Sequence, residues 1–380
     1  MEFKLLTAET TTSAIFATGA QLFNDTVNDC VKDIMQSSLS EFRRYTNLIA
    51  VPMVVAFGIT GNAAVIAVVS SDRVSFGFPS TKLFVRVLAV ADIFYLIGSP
   101  FFQTLRTLHY DTTWIPHSQL FPLVYPFVWP YMASVQTLET WLVVAITADR
   151  YVAITWPMKA VQLCTAKRAA VQVAVIAFAS AVFNIPHWLE FRSELGSREC
   201  RSIKITAMFS NEVYQITYWS VLTLLFRFGL PLGLLTYLTI QLILSVRSAA
   251  RTRAELTHKS RKRSSERQIT YVLLSVVLLF VLCETIEFVM HILQTLRWTW
   301  SFYDEHENVE LQTAFNTLGN FTLTLSASMN VVIYCIFAKK FRQHFFWIMM
   351  QCGARDHNEH SDSTPDAIST IQNTCQTSKM

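Results

Sequence analysis

Charge is what this chain has least of. Only 15% of its 380 residues are Asp, Glu, Lys or Arg, where soluble domains carry roughly 25%, and that shortage excludes an ordinary cytosolic enzyme of two or three domains. Glycine is scarce too: 10 residues, with 11 prolines, exclude collagenous and low-complexity architectures. The first 44 residues are polar and lack the basic start and apolar region of a secretory leader, so a cleaved signal peptide is not expected. What the chain has in excess is apolar surface, 52% of its residues. That excess needs a second solvent.

The apolar residues are gathered into seven runs: Ile49 to Val69, Leu83 to Leu105, Tyr131 to Ile154, Ala169 to Leu189, Tyr218 to Val246, Ile269 to Leu296 and Leu311 to Phe337. Each has the ~20 residues that a helix rising 1.5 Å per residue needs to cross ~30 Å of hydrocarbon. The period-two alternation of a membrane barrel is absent, and a helix bundle is the remaining architecture that satisfies every backbone group in lipid. No repeat of soluble-array type is present. The expected fold class is an all-α membrane protein, a seven-transmembrane helix bundle. Residues 1–44 form its extracellular segment, 45–337 the bundle, 338–352 a short amphipathic helix on the membrane surface and 353–380 a disordered cytoplasmic tail.

Lys and Arg accumulate after spans 1, 3, 5 and 7, so those segments face the cytosol and the N-terminus lies outside. The inner segments carry 18 Lys and Arg against 7 Asp and Glu, the outer segments 10 against 15, and the bundle with its inner edge 3 against 5. The net charge of +4 therefore averages a basic inner face, an acidic mouth and an acidic core. Of the 7 cysteines, Cys30 and Cys200 alone face the oxidising side of this topology. An extracellular intramolecular disulfide, if one forms, joins these two and ties the N-terminal segment over the mouth; two free thiols are the alternative, because spacing does not give proximity. Asn24-Asp25-Thr26 is a glycosylation sequon on the outer side. From Lys339 to Met350, Phe341, Phe345 and Ile348 recur at helical spacing among basic residues. That suits a helix on the inner leaflet, with Cys352 either palmitoylated or an unmodified thiol.

Ionisable residues inside a membrane are expensive and mark functional sites. Arg86 is near enough to the inner edge to snorkel; Asp92, Glu139, Arg227, Glu284 and Glu287 lie deeper and must face the bundle interior. Glu284, Glu287 and His291 stand at i, i+3 and i+7, one face of span 6. Arg227 and one Glu could simply neutralise each other as a buried pair; even so, one carboxylate is left to be protonated or to take a cation from a ligand.

These residues resemble the rhodopsin-like (class A) G protein-coupled receptors over roughly Tyr45 to Met350. Asp149-Arg150-Tyr151 ends span 3, Gly61-Asn62 lies in span 1, Leu88-Ala89-Val90-Ala91-Asp92 in span 2, and Asn330-Val331-Val332-Ile333-Tyr334 in span 7 varies the family's Asn-Pro-x-x-Tyr. Four such motifs in order, each at the right depth, are specific. Pro186-His187-Trp188-Leu189-Glu190 and the stretch ending at Cys335 look like invertebrate FMRFamide-type neuropeptide receptors.

The resemblance implies a two-state switch. Arg150 is held by Asp149 and by Glu266 at the foot of helix 6 until an agonist swings helix 6 outward and opens a cleft for a heterotrimeric G protein, with Tyr151 and Tyr334 as the neighbouring switch residues. It implies a sodium pocket at Asp92 and Asn330, where Glu139 replaces the usual Ser, so that the two carboxylates share one proton or bind Na⁺ more tightly. No other cofactor is expected. It also implies arrestin and receptor kinase as partners of the Ser- and Thr-rich tail, anionic membrane lipid as a contact of the basic third inner loop, and a multi-pass plasma-membrane location. No nucleic acid partner is expected.

Several positions depart from the family. Tyr125 stands where its helix 3 Cys belongs, so the usual bridge to the second outer loop cannot form, which favours the Cys30–Cys200 pairing. Pro122, Pro126 and Pro130 interrupt the outer approach to span 3, with Pro130 expected in its first turn. Cys283-Glu284-Thr285-Ile286 replaces Cys-Trp-x-Pro, and Val331 replaces the span 7 proline.

For the ligand, the acid excess favours a cation and disfavours a free carboxylate. A peptide ending in Arg-Phe-amide meets both demands, with Glu190, Arg227, Glu284, Glu287, His291 and Trp188 as its expected contacts. Trp188, Phe191, Tyr214 and Trp298 are aromatics for its Phe, or belt residues at the interface. An opsin is excluded, because Leu311 to Phe337 holds no lysine for a Schiff base. A membrane enzyme is not expected, since no catalytic motif occurs. An ion-coupled transporter lacks its paired broken helices. An orphan or decoy seven-helix receptor with weak G protein coupling is the serious alternative.

Overall fold

The computed structural model describes residues 38–71, 78–111, 115–195, 201–254, 261–300, 309–337 and 341–346. They form seven long helices in an antiparallel bundle. Helix 1 is Val51–Ser70, entered through Ser38–Tyr45 and a π turn at Thr46–Ala50. Helix 2 is Pro79–Phe102, continued outward by Thr104–Asp111. Helix 3 is Ile115–Thr155 and helix 4 Ala166–Phe183, with the short Pro157–Leu163 between them. Helix 5 opens as the π segments Gln215–Leu222 and Leu224–Gly229 and runs on as Leu230–Ala254. Helix 6 is Arg261–Trp300 and helix 7 Val309–Phe337; residues 341–346 are helical again.

Local chemistry accounts for several starts. Pro79 and Pro157 occupy first-turn positions, where a missing N–H costs nothing. Thr165 caps helix 4 by accepting from Arg168 N, and Asn211 accepts from Val213 N and Tyr214 N at 2.9 and 3.3 Å. The expectation that span 3 begins at Pro130 is corrected. The helix starts at Ile115 and runs through Pro122, Pro126 and Pro130, which, four residues apart, confine the lost hydrogen bonds to one face.

Among the described residues, six helical stretches are by length and composition apolar enough to cross a membrane, lying within Glu41–Ser70, Pro79–His109, Ala166–Leu189, Glu212–Ser248, Tyr271–Leu293 and Thr313–Phe337. Helix 3 falls short of that apolarity because it is central. It packs against helices 2, 4, 5 and 6, and its Gln136, Thr137, Glu139, Thr140 and Thr147 are all buried against them. Helix 4 shows the reverse pattern, with Val171, Val175 and Phe178 exposed as lipid would require.

With lipid outside, hydrophobicity does not draw helices together, so close approach and polar pairs do. A Cβ on Gly58 would lie 2.3 Å from Ser328 Oγ, so only glycine lets helix 1 approach helix 7 there; Ser328 then donates to Val54 O (3.1 Å) and Asn62 to Ala327 O (2.8 Å). Gln103 donates to Ser99 and Thr324 (2.7 and 2.9 Å), joining helices 2 and 7, and Asn184 to Thr137 (3.1 Å), joining helices 4 and 3. Outside the membrane, β1 (Phe191–Leu195) and β2 (Arg201–Ile205) pair antiparallel, Phe191 opposite Ile205. This hairpin was not expected from the sequence.

Candidate functional site

Helix 6 carries its two acids to different surroundings. Glu284 is 3% exposed, and its Oε1 accepts from Thr140 Oγ1 at 3.4 Å. Glu287, a turn higher, is half-buried, and among the described residues no hydrogen bond or ion pair engages its carboxylate. The carboxylate lies against helix 7, where a Cβ on Gly319 would stand 2.7 Å from Oε2. Helix 7 thus leaves room for a carboxylate that no described side chain engages in a hydrogen bond or ion pair.

Arg227, buried in the π segment of helix 5, donates to Gln136 Oε1 and lies 5.0 Å over the Phe228 ring. Among the described residues no ion pair within 4.0 Å joins it to Glu284 or Glu287; the amide of Gln136 takes the place of a carboxylate. Arg227 and Glu284 do line one pocket between helices 3, 5 and 6, together with Thr140 and Phe280. His291 packs between Trp219 and Phe228, ring centroids at 5.0 and 5.3 Å.

Two expected ligand contacts stand elsewhere. Glu190 is 0% exposed and both carboxylate oxygens are occupied: Trp129 Nε1 donates to Oε2 at 2.7 Å, Tyr214 OH to Oε1 at 2.8 Å, and His187 Nδ1 is 2.7 Å from Oε1. Its carboxylate is fully buried and engaged within the protein, as a buried carboxylate recruits the nearest donors. Trp188 is 46% exposed beside exposed Ile185 and Leu189, a placement of the interfacial-belt kind.

Below Glu284 a cavity of about 20 Å³ is lined by Asp92, Tyr95, Gln136, Glu139, Glu284, Ser326 and Asn330 among others. That is room for about one water-sized particle. Asn330 Nδ2 donates to Asp92 Oδ2 at 2.6 Å, while Glu139 Oε1 is buried with no hydrogen-bond partner. Among the described residues no three His, Cys, Asp or Glu side chains group as a metal site. Three carboxylates, with amide and hydroxyl oxygens, are the hard donors that a single small cation would need.

At the inner end, Arg150 Nη2 donates to Asp149 Oδ2 at 2.5 Å, Thr81 Oγ1 to the same oxygen at 3.3 Å, and Arg150 lies 5.9 Å from the Phe78 ring centroid. Tyr151 meets Trp156 edge-on at 5.7 Å, and Tyr334 packs on Phe341 at 5.3 Å. The Cys164 thiol, behind Asp149, is pushed up to about 11, first by burial and then by the Asp149 charge. Glu266 lies on helix 6, but its side chain, like that of Trp298, is outside the described residues. So are Asn24, Cys30, Cys200 and Cys352.

Gln136, Gly319 and Trp129 belong to these sites and were missed from the sequence. For Gln136 a signal existed: it stands three and four residues before Glu139 and Thr140, on their helical face.

The family model described as 7 transmembrane receptor (rhodopsin family) matches residues 61–334. The chain belongs to the rhodopsin family of seven-transmembrane receptors. It is 25% identical over 240 residues, 62% of this chain and 41% of its relative, to the FMRFamide receptor of Drosophila melanogaster. It is 22% identical over 225 residues, 58% of this chain and 50% of its relative, to an FMRFamide peptide receptor of Caenorhabditis elegans. The chain thus spans about half or less of the length of these two relatives. It is also 22% identical over 320 residues, 84% of this chain and 86% of its relative, to galanin receptor type 1 of Rattus norvegicus. As a rhodopsin-family receptor it is a multi-pass membrane protein, and a receptor rather than an enzyme.

Proposed function

We propose that this rhodopsin-family receptor binds a short amidated peptide of FMRFamide type at the plasma membrane, with its N-terminus outside, and activates a heterotrimeric G protein. The observation that carries the reading is Glu287, a half-buried carboxylate with room made for it by Gly319 and no partner among the described residues. A ligand guanidinium supplies the missing charge in a charge-assisted hydrogen bond, and amidation spares the acidic mouth a second carboxylate. The relatives named as FMRFamide receptors support the same ligand class.

Agonist contact with helix 6 favours its outward state, which separates Arg150 from its inner partners and exposes the cleft. Asp92, Glu139, Asn330 and Ser326 would hold Na⁺ in the core cavity, and the ion would supply charge neutralisation. Receptor kinase and arrestin act on the tail. The second reading, an orphan receptor with weak coupling, is favoured by Glu284 where relatives of this fold carry the helix 6 aromatic.

Guanine-nucleotide exchange in receptor-containing membranes, challenged with amidated peptides and their free-acid forms, tests the proposal. Amidated Arg-Phe peptides are expected to stimulate exchange and the free acids to be much weaker. No response to any amidated peptide, with the receptor at the surface, favours the orphan reading.

A further inference from the structure

We infer that Glu190 is a positioning residue: its carboxylate is the clasp that holds the outer hairpin over the ligand mouth, where helix 3 offers no cysteine for a covalent bridge. This rests on the reading of the chain as a peptide receptor only in its effect on ligand; the clasp itself stands on geometry.

Three donors from three separate elements converge on this one side chain. Trp129 comes from helix 3, His187 from the 3-10 turn Ile185–Leu189 after helix 4, and Tyr214 from the first turn before helix 5, all within 2.7–2.8 Å of a carboxylate oxygen. The backbone of the same residue roots the hairpin. β1 begins at the next position, Phe191, while Thr206, immediately after β2, donates its N–H to Glu190 O at 3.0 Å and its hydroxyl to Leu189 O at 2.7 Å. Both ends of the hairpin are therefore tied to the residue whose side chain grips helix 3.

The grip falls one turn from the position that lacks the thiol. Tyr125 and Trp129 are four residues apart on one face of helix 3. Tyr125 meets Phe191 edge-on at 5.2 Å and stacks near Phe102 at 6.3 Å. Ile203 of β2 is buried against Leu105 and Phe121. The rings of Trp129 and Tyr218 close over His187 at 5.7 and 5.3 Å. The aromatic layer excludes water from the carboxylate, and in that surrounding a charge-assisted hydrogen bond is short and strong.

A carboxylate with three donors differs from a disulfide in one consequential way: it opens and recloses without a redox step. The hairpin can lift to admit a peptide and settle again, and reductant does not release it. Glu190→Gln is the sharp variant, since its amide has the same shape but presents a donor where one of the three N–H or O–H groups needs an acceptor.

Amide hydrogen exchange on the receptor in nanodiscs, without ligand, reads the clasp directly. In Glu190→Gln the amides of Phe191–Leu195 and Arg201–Ile205 should exchange about tenfold faster, with helix 7 amides unchanged. Trp129→Phe, which keeps a ring and loses one donor, should accelerate them less, and the double variant should add little to Glu190→Gln alone, because both remove one interaction. Hairpin exchange at the wild-type rate in Glu190→Gln and Trp129→Phe overturns the inference. So does acceleration of the wild-type hairpin by dithiothreitol to the extent that Glu190→Gln produces, which would assign the hold to a disulfide. With an amidated Arg-Phe peptide bound, the same variant should shorten the bound lifetime roughly tenfold at an unchanged number of sites. A wild-type receptor that binds no such peptide rejects the proposed ligand, while the exchange measurement still decides the clasp.

Discussion

The inner and outer halves of this bundle are built by different rules. In the inner half, residues within recognisable motifs find each other: Arg150 meets its neighbour Asp149, Asn330 meets Asp92 at 2.6 Å, and Tyr334 packs on Phe341. In the outer half each decisive contact reaches a residue outside any motif. Glu190 takes a donor from Trp129, 61 positions away, Arg227 donates to Gln136 across 91, and Glu287 rests against Gly319. The difference separates an inner half assembled from motif residues from an outer half assembled by contacts between residues far apart in sequence.

The largest expected effect tests that separation. Glu287→Gln and Glu284→Gln should each lower peptide potency roughly 10- to 100-fold, the weight of one hydrogen bond to a charged group, while ligand-independent nucleotide exchange persists. Full potency in both variants rejects the outer pocket. Gly319→Ala should follow with a smaller loss, about tenfold or less, because its Cβ would lie 2.7 Å from the carboxylate proposed to receive the ligand; unchanged competition binding would mean that the carboxylate moves without consequence. From the inner side, Glu266→Ala should raise basal exchange a few-fold, as expected for a latch that biases a two-state element. An unchanged basal level at equal surface expression counts against the latch. The smallest effect is expected at Cys164. With its thiol pushed up to about 11, it should resist iodoacetamide at neutral pH, and rapid alkylation of folded receptor would show that the inner end is open.

The fold was legible because its signals are cheap to read: seven apolar runs, a basic bias on alternate loops and four motifs at matching depths. The Asp149–Arg150 and Asp92–Asn330 pairs were read from those motifs, and the packing of Tyr334 on Phe341 was not. The outer half was not legible for two physical reasons. Burial decides whether an acid is a ligand contact or a structural hub, and nothing near Pro186-His187-Trp188-Leu189-Glu190 announces that Trp129 and Tyr214 close over Glu190. Likewise Gly319 reads as an indifferent helix residue until its missing Cβ is set beside Glu287. The prolines misled in the opposite direction. Singly each marks a helix boundary, but at spacing four on a helix braced by its neighbours they are absorbed along one face.

That uninterrupted helix has a mechanical consequence. From Ile115 to Pro130, helix 3 precedes the stretch expected to cross the bilayer, a rod of about 24 Å at 1.5 Å per residue. The rod is not free at its outer end, because Phe121 packs with Leu105 and Ile203 and Tyr125 meets Phe191. A turn of about 5° near Pro130 would therefore carry the hairpin and the outer extension of helix 2 along by roughly 2 Å, and a fluorophore on that rim would report tilting of helix 3.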